Sequence, residues 1–281
     1  MSRERMVGIA VAFIVVVFLL FVSLRWFEHA VTFHPVRYDG GVAWNLPARA
    51  QDVWLTTEDG IRLHGWFFQT EKTPAQATVI YFHGNGGNLS NVGWVGERLA
   101  DRGLDVLLLD YRGYGRSEGQ IDGELGLYLD GDAAYDFVTQ TRGVNASTVI
   151  FYGQSLGTAV AADLASRRQC GAVIIESGFS SASEMASNVF PWLPSRLHVL
   201  AKNRFESARK LSQASCPLLI THGDPDEVIP TNQSRLLFDA AKEPKKLLLY
   251  PGAGHNVFGS LGDQYLDVVV DFITGAVGER S

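Results

Sequence analysis

Residues 148–162 read TVIFYGQSLGTAVAA, and the rest of the chain is best interpreted outward from this stretch. A short run of β-branched and aromatic residues ends at a Gly-x-Ser-x-Gly pentad, and a segment of small residues with helical character follows. A strand, a sharp turn and a helix in this order are typical of a nucleophile elbow, in which the serine is held in strained geometry. Gly153 and Gly157 leave room where backbones approach closely. The pentad therefore predicts a nucleophile, Ser155, at the carboxyl end of a sheet; a structural turn serine is the alternative.

The overall composition is that of a folded protein with a substantial core. The chain has 281 residues, of which 46% are hydrophobic and 11% aromatic, enough for one large α/β domain or two small ones. The net charge is −6, and no basic patch indicates a nucleic-acid partner. The two cysteines and seven histidines show no spacing typical of a metal site, so we expect neither a metal nor an organic cofactor.

The N-terminal segment is apolar over a length that can cross a bilayer. Residues 6–24 contain a single polar side chain, that of Ser23. A cleaved signal peptide would have a shorter apolar region and a small-residue cleavage site, whereas Arg25 and Trp26 follow here. We therefore predict an uncleaved single-pass transmembrane anchor at residues 1–28 and an irregular juxtamembrane linker at 29–50.

The positive charges flanking this segment bear on its orientation. Arg3 and Arg5 precede the apolar run, and Arg25 and Arg37 follow it. With the amino terminus counted, the small excess on the N-terminal side favours a cytoplasmic N-terminus. The expected location is therefore the membrane, with the remaining domain extracytoplasmic.

From residue 51 onward, the pattern is that of a mixed sheet with helices on both faces. Residues 52–57 and 61–69 are strand-like runs around an Asp-Gly turn, which is typical of an antiparallel hairpin. Later strands such as 106–109 are apolar without interruption, as in parallel sheets that are buried on both faces. We predict one α/β domain at residues 51–281, with a mostly parallel central sheet. Its further strands are predicted at 78–83, 105–110, 148–152, 172–176, 218–222 and 246–250, and its helices at 90–102, 122–142, 156–168, 233–242 and 262–276.

One long segment interrupts the alternation of strands and helices. Residues 177–215 contain Pro191, Pro194 and several aromatic side chains, and they are too many for a plain connection. We predict a short cap-like insertion at about 178–213, over the carboxyl ends of the strands. One ordinary helix followed by a loop is the alternative.

The predicted nucleophile needs a general base within hydrogen-bond reach. Among the histidines, His255 lies in a glycine-rich loop, PGAGHN at 251–256, between the last strand and the last helix. Such a loop can carry the imidazole over the end of the sheet towards Ser155. His255 is therefore the predicted base, whereas His83 and His222 each end a strand directly before glycine, where a structural role is common.

The base in turn needs a carboxylate that accepts a hydrogen bond from its ring and fixes its tautomer. The segment after the penultimate strand, HGDPDEVIP at 222–230, offers Asp226 in the turn before a Val-Ile-Pro exit. Asp224 precedes a proline and is better suited to shaping the turn. We predict Asp226 as the catalytic acid and keep Glu176, which ends the preceding strand, and Asp224 as alternatives.

The oxyanion of a tetrahedral intermediate needs two preorganised amide donors. One is predicted to be the amide of Leu156, directly after the nucleophile, and the other the amide of Asn85 in the loop HGNGGN at 83–88. A phosphate cradle is the alternative interpretation of this loop. It lacks the Lys-Ser/Thr ending of a P-loop and the glycine spacing of a dinucleotide fingerprint.

Taken together, these motifs resemble the α/β-hydrolase superfamily. Within it they are similar to membrane-anchored serine hydrolases related to lysophospholipases, monoglyceride lipases and protein depalmitoylases. The resemblance implies an α/β-hydrolase fold and the order Ser, Asp, His along the chain. It does not define the substrate, because this fold hosts many chemistries. The matching segments are 83–88, 110–119 (DYRGYGRSEG), 153–157, 176–179 (ESGF), 222–230 and 252–256.

The resemblance implies a serine hydrolase that cleaves carboxylic esters or thioesters through an acyl-enzyme. The anchor and the apolar insertion favour an amphiphilic substrate, such as a lysophospholipid, a monoacylglycerol or an S-acylated protein. A peptidase or amidase of the same fold is one alternative. A catalytically silent module that binds lipid or a partner protein is another.

The two cysteines are expected to be neighbours in this fold. Cys170 precedes the strand at 172–176, and Cys216 precedes the strand at 218–222. Because those strands are adjacent in α/β hydrolases, both thiols should lie near the amino-terminal edge of the sheet. A disulfide in an extracytoplasmic domain and two buried thiols are both open interpretations.

Overall fold

An eight-stranded sheet forms the centre of the protein. The computed structural model describes residues 2–38, 45–189, 191–192 and 201–278. Its strands are short, and six of them are buried along nearly their whole length. The strands are β1 (Ala50–Thr56), β2 (Arg62–Phe68), β3 (Thr78–Phe82), β4 (Asp105–Leu109), β5 (Val149–Gln154), β6 (Ala172–Glu176), β7 (Leu218–Asp224) and β8 (Lys245–Pro251).

The strand order is β1-β2-β4-β3-β5-β6-β7-β8. The first two strands pair antiparallel, β2 pairs antiparallel with β4, and all remaining pairs are parallel. The antiparallel hairpin that leads into a mostly parallel sheet was predicted and is confirmed. Parallel strands end at a common edge, so the loops after β3, β5, β6, β7 and β8 meet at one edge of the sheet.

Helices connect and cover the strands. An N-terminal helix precedes the sheet, and a π-helical turn, Phe137–Thr141, extends the third helix. The helices are α1 (Arg3–Thr32), α2 (Leu89–Asp101), α3 (Glu124–Asp136), α4 (Gly157–Arg167), α5 (Ala182–Val189), α6 (Ser207–Leu211), α7 (Asn232–Ala240), α8 (Val257–Leu261) and α9 (Asp263–Gly278).

Two hydrophobic cores lie on opposite faces of the sheet. Side chains of a strand alternate between faces; in β5, Val149 and Phe151 join one core, and Ile150 and Tyr152 join the other. Buried residues of α3, α4, α6 and α7 belong to the first core, and those of α2 and α9 to the second. Helices on both faces were predicted and are confirmed.

Two local features differ from the sequence expectation. The helix predicted at 122–142 is α-helical only over Glu124–Asp136 and ends in the π-helical turn. The short helix α8 was not predicted, because the five residues of Val257–Leu261 are too few to show a helical period.

The segment predicted as a cap, at about 178–213, contains the two short helices α5 and α6. Phe179 and Phe205 lie at its two ends, with their rings 5.7 Å apart. Residues 190 and 193–200, which include Phe190, Leu193 and Pro194 of the aromatic and proline cluster, lie outside the described residues. A cap over the strand ends stays a prediction.

Helix α1 is 30 residues long and has no buried residue. Within the described ranges, it is the one helix long and apolar enough to cross a membrane. It continues to Thr32, past the boundary predicted at residue 28. In the predicted linker, Phe33 is only 3% exposed and packs on the domain, whereas residues 34–37 are exposed. Residues 39–44 of that linker lie outside the described residues.

The cysteines lie side by side, as the order of β6 and β7 requires. Cys170 and Cys216 are both buried, and their Sγ atoms are 2.7 Å apart. The predicted proximity of the two thiols is confirmed. A covalent bond between them stays a prediction for an extracytoplasmic domain.

Candidate active site

Ser155 occupies a strained turn between β5 and α4. Its φ angle is +53°, in the left-handed region that non-glycine residues rarely adopt. The flanking glycines are required by space, because a methyl group added to Gly157 would lie 2.0 Å from the carbonyl oxygen of Phe82. A methyl group added to Gly153 would lie 2.4 Å from the carbonyl oxygen of Gly157. The pentad is thus a tight strand-to-helix turn that holds its serine in one conformation.

The amide that follows Ser155 is positioned by the start of α4. The Ser155 amide donates to the carbonyl oxygen of Glu176 over 2.9 Å, and the Thr158 hydroxyl donates to the Ser155 carbonyl over 2.6 Å. Among the described residues, none accepts a hydrogen bond from the amide of Leu156. The N-terminus of α4 adds a partial positive charge at this point. A developing negative charge beside Ser155 would therefore be stabilised.

The loop after β3 passes directly beside the serine. A methyl group added to Gly84 would lie 3.3 Å from Cβ of Ser155. The loop is held by the segment after β4, because the Tyr111 hydroxyl donates to the His83 carbonyl over 2.9 Å. The Tyr114 hydroxyl donates to Oδ1 of Asn85 over 2.9 Å. No described residue accepts a hydrogen bond from the backbone N–H of Asn85.

His255 and Asp226 form a hydrogen-bonded pair at the same edge of the sheet. Nδ1 of His255 lies 2.8 Å from Oδ2 of Asp226. The aspartate side chain is 0% exposed, and the imidazole is 17% exposed. The other carboxylate oxygen accepts the amides of Val228 and Ile229, over 2.8 and 2.9 Å. Among the hydrogen bonds of the described residues, none joins Ser155 to His255; such catalytic contacts are often long until substrate binds.

The electrostatics of Asp226 favour its ionised form. Burial alone would raise the pKa of this carboxyl group. Hydrogen bonds from His222, His255 and the Ile229 and Val228 amides outweigh burial and hold the pKa well below its ordinary value. Asp226 therefore remains a carboxylate that can orient an imidazole and stabilise its positive charge.

His222 is a fully buried partner of this carboxylate. Its Nε2 lies 2.9 Å from the Ile229 carbonyl oxygen and 3.0 Å from Oδ2 of Asp226, and both are acceptors. Nε2 must therefore carry a proton, while Nδ1 can accept from the Ser234 hydroxyl. From its place at the end of a strand, directly before glycine, only a structural role was predicted for His222, and no local pattern indicates its contact with Asp226.

The two alternative acids do not contact His255. The carboxylate of Glu176 is fully buried, accepting the Tyr152 hydroxyl over 2.5 Å and the Phe258 amide over 3.0 Å. Burial raises the pKa of Glu176. Asp224 is exposed, with a 3.4 Å hydrogen bond from Thr231 to its side chain. Of the three candidate carboxylates, Asp226 is the one that lies against the imidazole.

Glu176 nevertheless supports the loop that carries His255. Its bond to the Phe258 amide fixes the beginning of α8, three residues after the histidine. The described residues contain no group of three or more His, Cys, Asp or Glu side chains that could hold a metal ion. At this edge of the sheet the structure places a serine, an imidazole, a carboxylate and backbone amides.

Known proteins are similar to this one over most of the chain. Residues 73–212 match the family model described as serine aminopeptidase, S33. An uncharacterized protein of Mycobacterium tuberculosis is 36% identical, over 82% of this chain and 80% of its own length. Alpha/beta hydrolase domain-containing protein 17B of Xenopus tropicalis is 33% identical, over 82% of this chain and 79% of its own.

A solved structure shares the architecture. Esterase Pf2001 of Pyrococcus furiosus superposes with a TM-score of 0.69, covering 87% of this chain and 99% of the esterase. The two sequences are 21% identical, so this likeness shows the fold alone. The mixed-sheet topology of this chain thus occurs in a fold that is known from other proteins.

Proposed function

The chain belongs to the α/β-hydrolase family, and from this membership we propose that it is a serine hydrolase of carboxylic esters or thioesters. One observation carries the proposal. A serine in a strained turn follows β5, and an aspartate–histidine pair follows β7 and β8, so all three residues lie after parallel strands at the same edge of the sheet. This arrangement supports Ser155, His255 and Asp226 as nucleophile, general base and orienting acid.

In the first half of the reaction, Oγ of Ser155 attacks the carbonyl carbon of the substrate. Its proton passes to Nε2 of His255, since Nδ1 holds the proton that is donated to Asp226. The carboxylate stays ionised and stabilises the imidazolium. The carbonyl oxygen becomes an oxyanion, which accepts hydrogen bonds from the backbone amides of Leu156 and Asn85; each such donor contributes about 10²- to 10³-fold to kcat.

In the second half, the tetrahedral intermediate collapses to an acyl-enzyme. The bond to the leaving alcohol or thiol breaks, and the leaving group takes the proton from Nε2 of His255. Water then attacks the acyl carbon, with His255 again accepting a proton, and Ser155 is regenerated with release of the acid. The steps require no metal or organic cofactor.

We propose an amphiphilic substrate, such as a lipid ester or an S-acylated protein. The support is the apolar helix α1 and the aromatic side chains at the ends of the insertion. On this proposal α1 is a single-pass anchor, and the hydrolase domain is extracytoplasmic. Retention of the protein in membranes after alkaline carbonate extraction tests the anchor, and its digestion by an added protease in intact cells tests the side.

The nucleophile is tested by fluorophosphonate labelling of the full-length protein. Ser155→Ala should abolish labelling and hydrolysis of a short-chain nitrophenyl ester. Ser177→Ala is the matched control, because Ser177 is also buried, with a φ angle of +49° at the end of the adjacent strand. Labelling that survives in Ser155→Ala would sink the assignment. A wild-type protein that is never labelled would favour a silent binding module.

A peptidase or amidase is the second candidate function. The observation in its favour is the description of the matching family model as a serine aminopeptidase. A panel of lipid esters, acyl thioesters and aminoacyl arylamides, run on wild type beside Ser155→Ala, separates the two. Turnover of arylamides in preference to esters would replace the proposal above.

A further inference from the structure

The side chain of Asn85 uses all of its hydrogen-bonding capacity. Its Nδ2 donates to the Thr32 carbonyl oxygen and to Nδ1 of His34, each over 2.8 Å. Its Oδ1 accepts the backbone amide of His34 and the hydroxyl of Tyr114, each over 2.9 Å. An asparagine amide offers two donor hydrogens and two acceptor lone pairs, so none is left over. Three of these four bonds come from residues 32–34, at and just past the end of helix α1.

The loop that contains Asn85 is rich in glycine, and contacts with other segments hold it. Gly84, Gly86 and Gly87 surround this residue, and glycine restricts the backbone less than any other residue. Gly86 has nothing within 4 Å of the position of a side chain, so no packing fixes it there. The orientation of the backbone N–H of Asn85 therefore depends on the contacts of the Asn85 side chain.

Residues 33–38, which include the Asn85 partner His34, are themselves bound to the domain. The Gly115 amide donates to the Val36 carbonyl, and the Tyr38 amide donates to the Gly115 carbonyl, each over 2.9 Å. The ring of Phe33 packs edge-on against Phe205, with centroids 6.1 Å apart. Residues 33–38 are thus held at several points beside the loop.

The end of the helix is also tied to the insertion. The carboxylate of Glu28 accepts the Asn203 amide over 2.7 Å and the Asn203 side chain over 3.0 Å. It accepts the Lys202 amide over 3.1 Å as well. Hydrogen bonds to an ionised acceptor are stronger than neutral ones. Helix α1 therefore contacts the insertion and the Asn85 loop with one end.

We propose that residues 32–34 position the oxyanion loop, so that the end of the anchor helix is a working part of the active site. The proposal rests on the function proposed above, in which the Asn85 amide is an oxyanion donor. Residues 32–34 act through Asn85 and contact no reacting atom, so they are positioning residues. Losing their contacts with Asn85 should therefore weaken stabilisation of the transition state and lower kcat, with little effect on substrate binding.

The test compares four variants of the full-length protein in lipid nanodiscs. His34→Ala removes one bond to Asn85, and His34→Asn offers an oxygen near the position of Nδ1. Tyr114→Phe removes the bond that the domain itself supplies. Val31→Ala is the control, since Val31 is an exposed neighbour on the same helix.

We expect His34→Ala to lower kcat by roughly ten-fold with KM little changed, because a misplaced donor is felt mainly in the transition state. His34→Asn should recover part of this loss. Tyr114→Phe should lower kcat in the same manner, and Val31→Ala should match wild type. Affinity for a trifluoromethyl ketone, which forms a tetrahedral adduct with the serine, should fall by the same factor as kcat/KM.

Two results would overturn the inference. One is a His34→Ala variant with wild-type kcat and wild-type ketone affinity. The other is a loss of kcat that follows a lower unfolding temperature and is not recovered by His34→Asn. In either case Ser155→Ala tells which proposal has failed: if it is inactive, the function stands and only the role of residues 32–34 is lost.

Discussion

The two halves of the candidate site are held in different ways. On the acid–base side, the Asp226 side chain is wholly buried and takes hydrogen bonds from His222, His255 and two amides. On the oxyanion side, Asn85 is half-buried and depends largely on residues 32–34, near the surface. Breaking a buried network leaves polar groups unsatisfied at about 1–3 kcal/mol each, whereas water can replace a surface contact. The acid–base pair is thus held within the domain, whereas the contacts of the Asn85 side chain come largely from residues 32–34, at the end of α1.

The largest effect is expected at the centre of the buried half. Asp226→Asn keeps an oxygen for the Val228 and Ile229 amides but no longer orients His255, so kcat should fall by about 10³- to 10⁴-fold. Steady-state hydrolysis of a nitrophenyl ester measures this, with circular dichroism to check folding. Asp224→Asn, an exposed carboxylate in the same turn, is the matched control. Similar activities for the two variants would contradict the assignment of Asp226.

An intermediate effect is expected at His222. His222→Leu deprives the Ile229 carbonyl and Asp226 of a buried donor, so the free energy of unfolding should fall by about 1–3 kcal/mol. Because Asp226 is then less firmly held, kcat should fall by roughly ten-fold.

His222→Gln supplies an amide donor near the position of Nε2 and is the conservative comparison. It should recover more of kcat than of stability, since it restores the donor but not the ring. Urea unfolding and ester hydrolysis measure the two quantities. Equal kcat for the Leu and Gln variants would show that His222 only fills space.

The smallest effect on activity is expected at Glu176, and it is a change in pH dependence. Burial raises the pKa of this carboxyl group, so the folded protein holds the proton more tightly than the unfolded chain. The stability from this group is complete below the ordinary pKa of 4.5 and is lost as pH rises through the higher folded value. Glu176→Gln cannot titrate. Its free energy of unfolding should therefore decline less than that of wild type as the pH rises above the ordinary carboxyl pKa of 4.5.

Chemical denaturation at several pH values measures that difference, and Glu184→Gln, at an exposed position, is the control. Parallel pH profiles for wild type and Glu176→Gln would contradict the raised pKa. Activity should change only a few-fold, because Glu176 acts on His255 through the Phe258 amide rather than directly.

Features that depend on local pattern were predictable from the sequence. Apolar runs bounded by turn residues located the strands to within two residues, and the pentad located the Ser155 turn. The contact between His255 and Asp226 was also anticipated, because both follow strands that end at one edge of the sheet.

Contacts between residues far apart in sequence were not predictable where neither a local pattern nor the order of the strands indicates them. Asn85 meets His34 across 51 positions in sequence, and no periodicity encodes such a meeting. Residues 30–38 were expected to be part of an irregular linker, yet helix α1 continues to Thr32 and Phe33 is buried. The available signal was the aromatic residue Phe33, two positions before Pro35. The contacts of the His222 ring with Asp226 and Ile229 are likewise set by tertiary packing alone.

The length of helix α1 has one more consequence. Its 30 residues extend about 45 Å, whereas the hydrocarbon core of a bilayer is about 30 Å thick. If α1 is the membrane anchor proposed above, its end is a fixed spacer, because it contacts both the Asn85 loop and the insertion. On that proposal Ser155 is held at a set height above the membrane surface, and we expect ester or thioester bonds at that height to be attacked in preference to bonds that lie deeper or further out.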